Sequence, residues 1–350
     1  MLDPGFSPKV SVIVLNWDGL ALLKRFLPSV VASSYSNLEV VVADNASTDG
    51  SVDWIGATLP SVRVIQHPEN WGFCKGNNEA IRQTDGEFVA LLNNDVEVEA
   101  NWLEPLVDEM LLNQSVAAVQ PKLLDVERRS RFEYAGASGG HIDRYGFTFA
   151  RGRLFLTLED DSGQYDDVQE IFWATGAAIL LRRSALDVTG LLDERFEFHM
   201  EEIDLCWRLR RSGFDIRVVP RSRVYHAGGS SLPRDSTRKT YLNYRNSLLM
   251  LDKNLPEKGR SRTFAVRVLL DSIAFLRLIL SLSGDQAWAV ARAYRDFFRL
   301  RSSTTEGEAT AYRSESEVYP SYRGSIVADY FVRRRKTFAS LPTEKFRFDR

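Results

Sequence analysis

Apolar positions in the first hundred residues come in short runs, separated by stretches with helical spacing. Val10-Ser11-Val12-Ile13-Val14-Leu15 is β-branched and apolar, is bounded by Pro8 and Asn16, and reads as a strand. Residues 38–43, 62–65 and 87–92 read the same way. Between them, residues 20–31 and 73–83 have helical spacing, and Asp49 or Ser51 can cap a short helix toward Ile55. Strands that are apolar throughout and alternate with helices predict an α/β fold: a mostly parallel sheet covered by helices on both faces. Such sheets bind ligands beyond the carboxyl ends of their strands. Asn16, Asp44 and Asn93-Asn94-Asp95 fall on that edge.

Residues 125–170 are polar and glycine-rich and read as loops or a small insertion. Strand signals return at 177–181 and 216–219, with a helix over 202–212 that Gly213 ends. Residues 262–300 are unusual. On a helical projection Arg267, Asp271, Arg277, Asp285, Arg292, Arg295, Asp296 and Arg299 share an arc of roughly 120°. Phe264, Val268, Leu269, Ile273, Leu276 and Leu280 lie elsewhere, and Gly284 can divide the segment in two. Amphipathic helices of this kind either pack on the body or a second subunit, as in a homodimer, or lie on a bilayer.

Composition narrows the classes. Hydrophobic residues make up 44% of the 350 and net charge is −2, which excludes wholesale disorder and argues against nucleic-acid binding. The charge is uneven. Residues 252–350 hold 19 Lys and Arg against 12 Asp and Glu, a balance of +7 that leaves −9 for the rest. A basic C-terminal region suggests an anionic membrane surface as partner. The two cysteines are far apart and form no metal-binding or disulfide pattern, which fits a reducing compartment. Residues 1–7 lack an apolar core and no run approaches a membrane span, so a cytoplasmic chain is expected, peripheral on the inner face of the plasma membrane.

Four constellations can carry chemistry. Asp44, opening Asp44-Asn45-Ala46-Ser47-Thr48-Asp49-Gly50 after a buried strand, can accept from a nucleobase or ribose, or can simply close an Asx turn. Asn93-Asn94-Asp95 offers hard oxygen ligands for magnesium or manganese at a strand end. His226 can complete such a metal shell if the later strand runs near Asp95. His199-Met200-Glu201-Glu202-Ile203-Asp204 opens a helix whose dipole favours ionised carboxylates, one of them suited to act as general base. Spacing alone does not choose between Glu201 and Glu202. Trp173 can stack on an acceptor sugar or serve as a core aromatic. His67 and His141 lack acidic company. No GxGxxG, P-loop, GxSxG or HExxH occurs.

In combination these pieces resemble family 2 glycosyltransferases of the GT-A fold, in their rhamnosyltransferase-like branch. The resemblance covers about residues 9–250. It rests on the strand ending at Asn16, the Asp44–Asp49 segment, Asn70-Trp71-Gly72-Phe73 with Gly76-Asn77-Asn78, Leu92-Asn93-Asn94-Asp95, Thr175-Gly176-Ala177-Ala178, Glu201-Glu202-Ile203-Asp204-Leu205-Cys206-Trp207-Arg208, His226 and Tyr244-Arg245-Asn246. It implies a GT-A domain over residues 1–255, with a nucleotide-binding half to about 122 and an acceptor-binding half beyond it. Residues 256–350 would form an amphipathic helical and basic tail region.

The resemblance also implies roles. Asn16, Asp44, Asn78, Asn94 and Asp95 would bind the nucleotide-sugar, whether dTDP-, UDP- or GDP-linked. Asp95 and His226 would hold Mn2+ or Mg2+, Glu202 would be the catalytic base, and Glu201 and Trp173 would meet the glycan or lipid-linked acceptor. The expected reaction is inverting, non-processive transfer of one sugar, with rhamnose from dTDP-rhamnose the first choice, in cell-surface polysaccharide synthesis. Two departures from the family pattern stand out: Asn93 replaces the first acid of the DxD motif, and Glu202 stands where aspartate is commoner. The QxxRW motif of processive synthases is absent. A nucleotidyltransferase or a non-catalytic scaffold that binds nucleotide-sugar are the alternatives.

Overall fold

The structure is a computed structural model that describes residues 7–228, 236–302, 318 and 320–347. The first half follows its apolar pattern. Strands β1 (Val10–Asn16), β2 (Leu38–Asp44), β3 (Arg63–Gln66) and β4 (Phe88–Asn93) are parallel, joined by α1 (Leu20–Val31), α2 (Ser51–Thr58) and α3 (Gly72–Arg82). Neighbouring side chains on a strand point to opposite faces. Val12 and Val14 therefore join one core with Leu23 and Leu103, while Ile13 joins the other with Ile81 and Trp207. Both faces are covered, which is why these strands carry no polar alternation.

The chain then adds β5 (Val96–Val98), α4 (Leu103–Leu112) and β6 (Val116–Asp125). The glycine-rich stretch builds a small antiparallel sheet from β7 (Gly140–Ile142), β8 (Thr148–Ala150), β9 (Arg153–Leu154) and β10 (Thr157–Leu158). Strands of two or three residues are too short to show a period. There follow β11 (Gln169–Glu170), β12 (Ala178–Arg182), α5 (Arg183–Thr189), α6 (Glu201–Arg211) and β13 (Asp215–His226). The main sheet runs β11-β13-β6-β12-β4-β1-β2-β3, with β5 added on β13. It is mixed, because β12 lies antiparallel between β4 and β6. The pattern stopped the last strand at Val219. The real strand bulges between Val219 and Arg223 and continues to His226.

Three helices close the described fold: α7 (Thr237–Asn254), α8 (Arg260–Leu280) and α9 (Gly284–Ser302). The division near Gly284 occurs as expected, and α8 settles which of its two faces is inside. Its charged arc faces inward. Arg267 and Asp271 are buried and paired at 2.9 and 3.0 Å, Arg267 also donates to the Ser247 hydroxyl, and the Tyr294 hydroxyl donates to Asp271. Leu269, Ile273, Leu276 and Leu280 face outward instead. The described part of the C-terminal stretch also packs on the body. Tyr322, Ile326 and Leu341 pack on Phe149 and Leu154 of the small sheet, and Arg333 and Arg335 both pair with buried Asp329. No described helix is long and apolar enough to cross a membrane.

The inward pair makes a testable demand. Removing one partner of a buried ion pair strands the other charge, at about 3–5 kcal/mol. Asp271→Ala should therefore lose about that much stability in chemical denaturation, while the double change Arg267→Met with Asp271→Leu should recover most of it. Equal stability of Asp271→Ala and the parent would show that the pair is not buried in solution.

Candidate active site

The carboxyl ends of β1, β2 and β4 meet through side-chain amides. Parallel register sets Asn16 opposite Asp44. Asn16 donates to Asp44 at 3.1 Å and accepts from the Asn94 amide at 3.0 Å. Asp44 also accepts from the Ser47 backbone at 2.8 Å and the Ser47 hydroxyl at 2.6 Å, so the Asx turn is real. Asn16 and Asp44 are nearly inaccessible. The packing here requires a glycine beside it, because a Cβ on Gly19 would lie 2.4 Å from Asn16 Oδ1.

A second cluster forms where β5 pairs antiparallel with β13. Register places His226 opposite Val96, and the Ala227 N–H donates to the Asp95 carbonyl. His226 Nε2 then sits 3.0 Å from Asp95 Oδ1, and Nδ1 sits 3.1 Å from Glu133 Oε2. All three side chains are buried. Burial opposes charge on His226, but the Glu133 and Asp95 carboxylates on either side outweigh it and push the imidazole up to about 10. Among the described residues no set of three acidic, histidine or cysteine ligands converges on one point. The donor set still fits a divalent ion held by Asp95 and His226. A carboxylate 3.1 Å from Nδ1 favours a proton there, and a bound ion would take the place of the one on Nε2, the arrangement that supports metal-bound histidines. Glu133 went unread in the sequence, since one acid in a glycine-rich loop carries no signal of its partner.

The third cluster is the acid pair at the start of α6. The chain enters this helix through a strained turn in which Glu197, His199 and Met200 have φ of 62°, 72° and 73°. Non-glycine residues hold such angles only when their surroundings enforce them. Here α7 does so. The Asn246 amide donates to the carbonyls of Phe196, Phe198 and His199 at 2.7, 2.9 and 2.8 Å. Arg245 beside it donates to the Phe196 carbonyl, to Glu197 and to Asn246 itself. The Arg245-Asn246 segment was visible as a motif, but its purpose required the fold.

Glu201 and Glu202 line one cleft with Asp95, His226, Asn93, Glu133, Phe198 and Lys239, which is the sole lysine or arginine among its described lining residues. One oxygen of each glutamate is buried and accepts no hydrogen bond from the protein. The helix dipole was expected to keep both ionised, and the structure corrects this. Burial wins, pushing Glu202 up to about 7 and Glu201 well above the usual carboxylate range, the latter also through repulsion from Glu202. Burial and the charge of Glu202 both hold the proton on Glu201, whereas burial alone raises Glu202, so Glu202 is the more readily ionised of the pair.

Not every candidate lines the cleft: Asn16, Asp44 and Asn94 form the strand-end group described above, and Asn78 and Trp173 are engaged elsewhere. Asn78 spends its amide on the backbone of Leu192, in both directions, and on Glu194, so it clamps α3 to the segment before α6. Trp173 is 1% exposed, donates to the His141 carbonyl at 2.9 Å and packs against Gly140, where a Cβ would lie 2.1 Å from its ring. It is a core aromatic and does not reach an acceptor. His67 is bonded to the Gly76 carbonyl and stacked on Trp71, and His141 sits among aromatic rings. Neither enters the cleft.

The model of "Glycosyl transferase family 2" matches residues 11–187, half of the chain. The chain belongs to this family. Among curated relatives of this family 2 chain, an O-antigen biosynthesis protein of Myxococcus xanthus is 30% identical over 66% of the chain and 18% of its own length. An uncharacterized protein of Sinorhizobium fredii is 29% identical over 69% of the chain and 27% of its own length, so the chain spans about a quarter or less of these two relatives. An N-acetylglucosaminyl-diphospho-decaprenol L-rhamnosyltransferase of Mycobacterium tuberculosis is 25% identical over 69% of the chain and 83% of its own. Solved structures give the fold. GalNAc-T7 with UDP, GalNAc and Mn2+ superposes at a TM-score of 0.56 with 17% identity, over 73% of this chain and 49% of that one. The mannosyltransferase PcManGT of Pyrobaculum calidifontis, with GDP-Man and Mn2+, superposes at 0.51 with 17% identity, over 88% and 79%. The fold is GT-A.

Two measurements check this family 2 site. Asn246→Ala should release the turn before α6 and cut turnover at least ~10-fold while donor binding persists, because misplacing a reacting group by about an ångström is costly. The second is a pH effect. Glu202 titrates near 7 in the folded chain against 4.5 ordinarily. Between those values the folded chain holds a proton that the unfolded chain has released, so this group's contribution to stability falls as pH rises across that window. The melting temperature of the parent relative to Glu202→Gln should therefore drop between pH 5 and pH 8. A constant difference would remove the burial effect.

Proposed function

We propose that the chain transfers a single sugar from a nucleotide-sugar to a hydroxyl of an acceptor glycan or lipid-linked oligosaccharide, with inversion and with a divalent metal. The observation that carries this is the shared cleft: Asp95 with His226 and the unequal acid pair Glu201–Glu202 line the same space. In this reading Asn16, Asp44 and Asn94 hold the nucleoside beyond the strand ends. Asp95 and His226 hold Mn2+ or Mg2+, with Glu133 orienting the imidazole. The ion, when bound, offsets negative charge on the leaving diphosphate. Glu202 takes the acceptor hydroxyl proton as the oxygen attacks the anomeric carbon opposite the diphosphate. Glu201, which holds its proton more tightly than Glu202, meets the acceptor through a hydrogen bond. Asn93 contributes an amide oxygen where an acid is usual, which leaves the ion less neutralised by protein and more dependent on the diphosphate.

The rhamnosyltransferase of M. tuberculosis among the relatives supports rhamnose from dTDP-rhamnose as the donor. The O-antigen relative supports a role in cell-surface polysaccharide synthesis. We place the chain in the cytoplasm, peripheral on the inner face of the plasma membrane, where lipid-linked acceptors lie. A nucleotidyltransferase fits less well, because Asn16-Trp17-Asp18-Gly19 after β1 carries no lysine or arginine. The scaffold alternative leaves the unpartnered glutamate oxygens without a use.

A thermal-shift screen of dTDP-, UDP- and GDP-sugars with Mn2+ tests the reading, since a ligand that binds only the folded state raises its melting temperature. Asp95→Ala and His226→Ala should each abolish the metal-dependent shift. Glu202→Gln should retain it and lose at least ~10²-fold in turnover. If Glu201→Gln shows the large loss and Glu202→Gln does not, the assignment of the base is overturned.

A further inference from the structure

Helix α8 is amphipathic with its hydrocarbon on the outside. At ~100° per residue Val268, Leu269, Ile273, Leu276 and Leu280 share an arc of about 140°. Their exposure runs from 42% at Val268 to 84% at Leu280, and Leu282 just beyond the helix is 94% exposed. The opposite face is closed by the Arg267–Asp271 pair and by Phe264 stacked on Phe297 of α9. A soluble chain rarely leaves so continuous an apolar strip open to water.

The N-terminal end of the same helix borders a second cavity, of about 400 Å³, bounded also by Arg144 and Tyr145 of the β7–β8 turn and by Pro320 and Arg323. Five cationic side chains line it: Arg144, Lys258, Arg260, Arg262 and Arg323. No carboxylate is among its described lining residues. Arg260 is held in place by bonds to the Leu255 carbonyl at 2.8 and 3.3 Å. The first turn of α8 has no side-chain cap, so its backbone N–H groups and the positive end of its dipole add to the field. A concave wall of one sign of charge concentrates the opposite ion. This cavity is not the donor site. Lys239 of α7 lines the catalytic cleft and Leu255, just past the other end of α7, lines the cavity. Sixteen residues of helix separate them, about 24 Å.

Arg262 belongs to both features: it lines the cavity and lies within the apolar arc of α8. We propose that this outer face and the basic cavity at its start form one surface that docks on an anionic bilayer, with the phosphate of a lipid headgroup seated in the cavity. An apolar strip flanked by concentrated positive charge matches the two layers of such a membrane, acyl chains and phosphates. A second copy of the chain would cover the hydrocarbon but supplies no phosphate to the cavity. A free phosphate would fill the cavity and leave the hydrocarbon in water. The proposal deepens the peripheral location given above and uses no residue of the catalytic cleft, so the two readings fail separately.

Flotation of the full chain with vesicles tests it, using phosphatidylcholine alone and phosphatidylcholine with phosphatidylglycerol in equal parts. The mixed vesicles should bind at least ~10-fold more tightly, and binding should weaken as salt rises. Arg144→Glu with Arg262→Glu should remove that preference. Leu269→Asp with Leu276→Asp should abolish binding to both. Each double variant should keep the parent's donor-induced thermal shift, which shows the domain still folded and the cleft intact. Equal binding to both vesicle types, or none, overturns the proposal. So does protection by inorganic phosphate without vesicle binding, which would make the cavity a site for a free anion. A dimer in light scattering that Leu269→Asp with Leu276→Asp converts to monomer also overturns it, assigning the face to a second copy.

Discussion

Asp204 has no exposed surface, and the site is built around the way its charge is satisfied. It lies in the first turn of α6 and accepts from Arg208 at 2.9 Å, Lys253 at 2.9 Å and Asn254 at 2.8 Å. A buried carboxylate is tolerable only with partners of this kind. Two of the three come from the end of α7, so the demand of one charge locks α6 to α7. Lys253 reaches on to Asp193, and Arg208 to the carbonyls of Thr189, Gly190 and Leu191, which ties in the loop that precedes α6. With the two helices locked, Arg245 and Asn246 of α7 stand where they can hold the strained turn at Glu197–Met200. That turn in turn presents Glu201 and Glu202 to the cleft.

The candidate site, cleft and strand ends together, combines groups brought from distant parts of the chain by different means. Parallel register sets the strand-end residues Asn16 and Asp44 side by side, a consequence of strands that begin and end together. A three-residue strand and a bulged twelve-residue one bring Asp95 to His226. Packing of α7 brings the acids. The carboxylates of the cleft differ in state because their neighbours differ. Glu133 and Asp95 flank an imidazolium, whereas Glu201 and Glu202 are neighbours on α6 with no ion pair among the described residues, and both shift upward. One cleft thus offers both a hard anionic ligand for a metal and a carboxylate that ionises near neutrality.

Charge also governs the C-terminal helices, with the opposite outcome for their surface. On α8 the Arg267–Asp271 pair is drawn inside by Ser247 of α7 and Tyr294 of α9, and rotation of the helix to satisfy it turns the leucines and isoleucines out. On α9 the body takes small residues, Ala287, Ala289 and Ala293, together with Val290 and Phe297, and its arginines stay in water. Two helices that look alike on a projection therefore expose unlike faces.

The sequence by itself determined what is local. Apolar runs of four to six residues with β-branched side chains specify buried strands, and turn-forming residues after them specify where the strands stop, so Asn16, Asp44 and Asp95 could be placed at the ligand edge from the sequence. The order of motifs pointed to the family. What only the tertiary structure decided is pairing across distance. Nothing near Glu133 in the chain announces His226, and nothing at Asn246 announces the carbonyls it restrains. Trp173 could stack or pack until Gly140 was seen against its ring, and Asn78 could bind a ligand until Leu192 took its amide. The dipole at α6 predicted ionised acids, and only their burial reversed that. The projection of α8 divided its two faces correctly and could not say which would be inside. A periodic pattern records that two faces differ; which one is buried depends on the partners available on the neighbouring helices, and a buried ion pair with two hydroxyl partners outcompeted a strip of hydrocarbon.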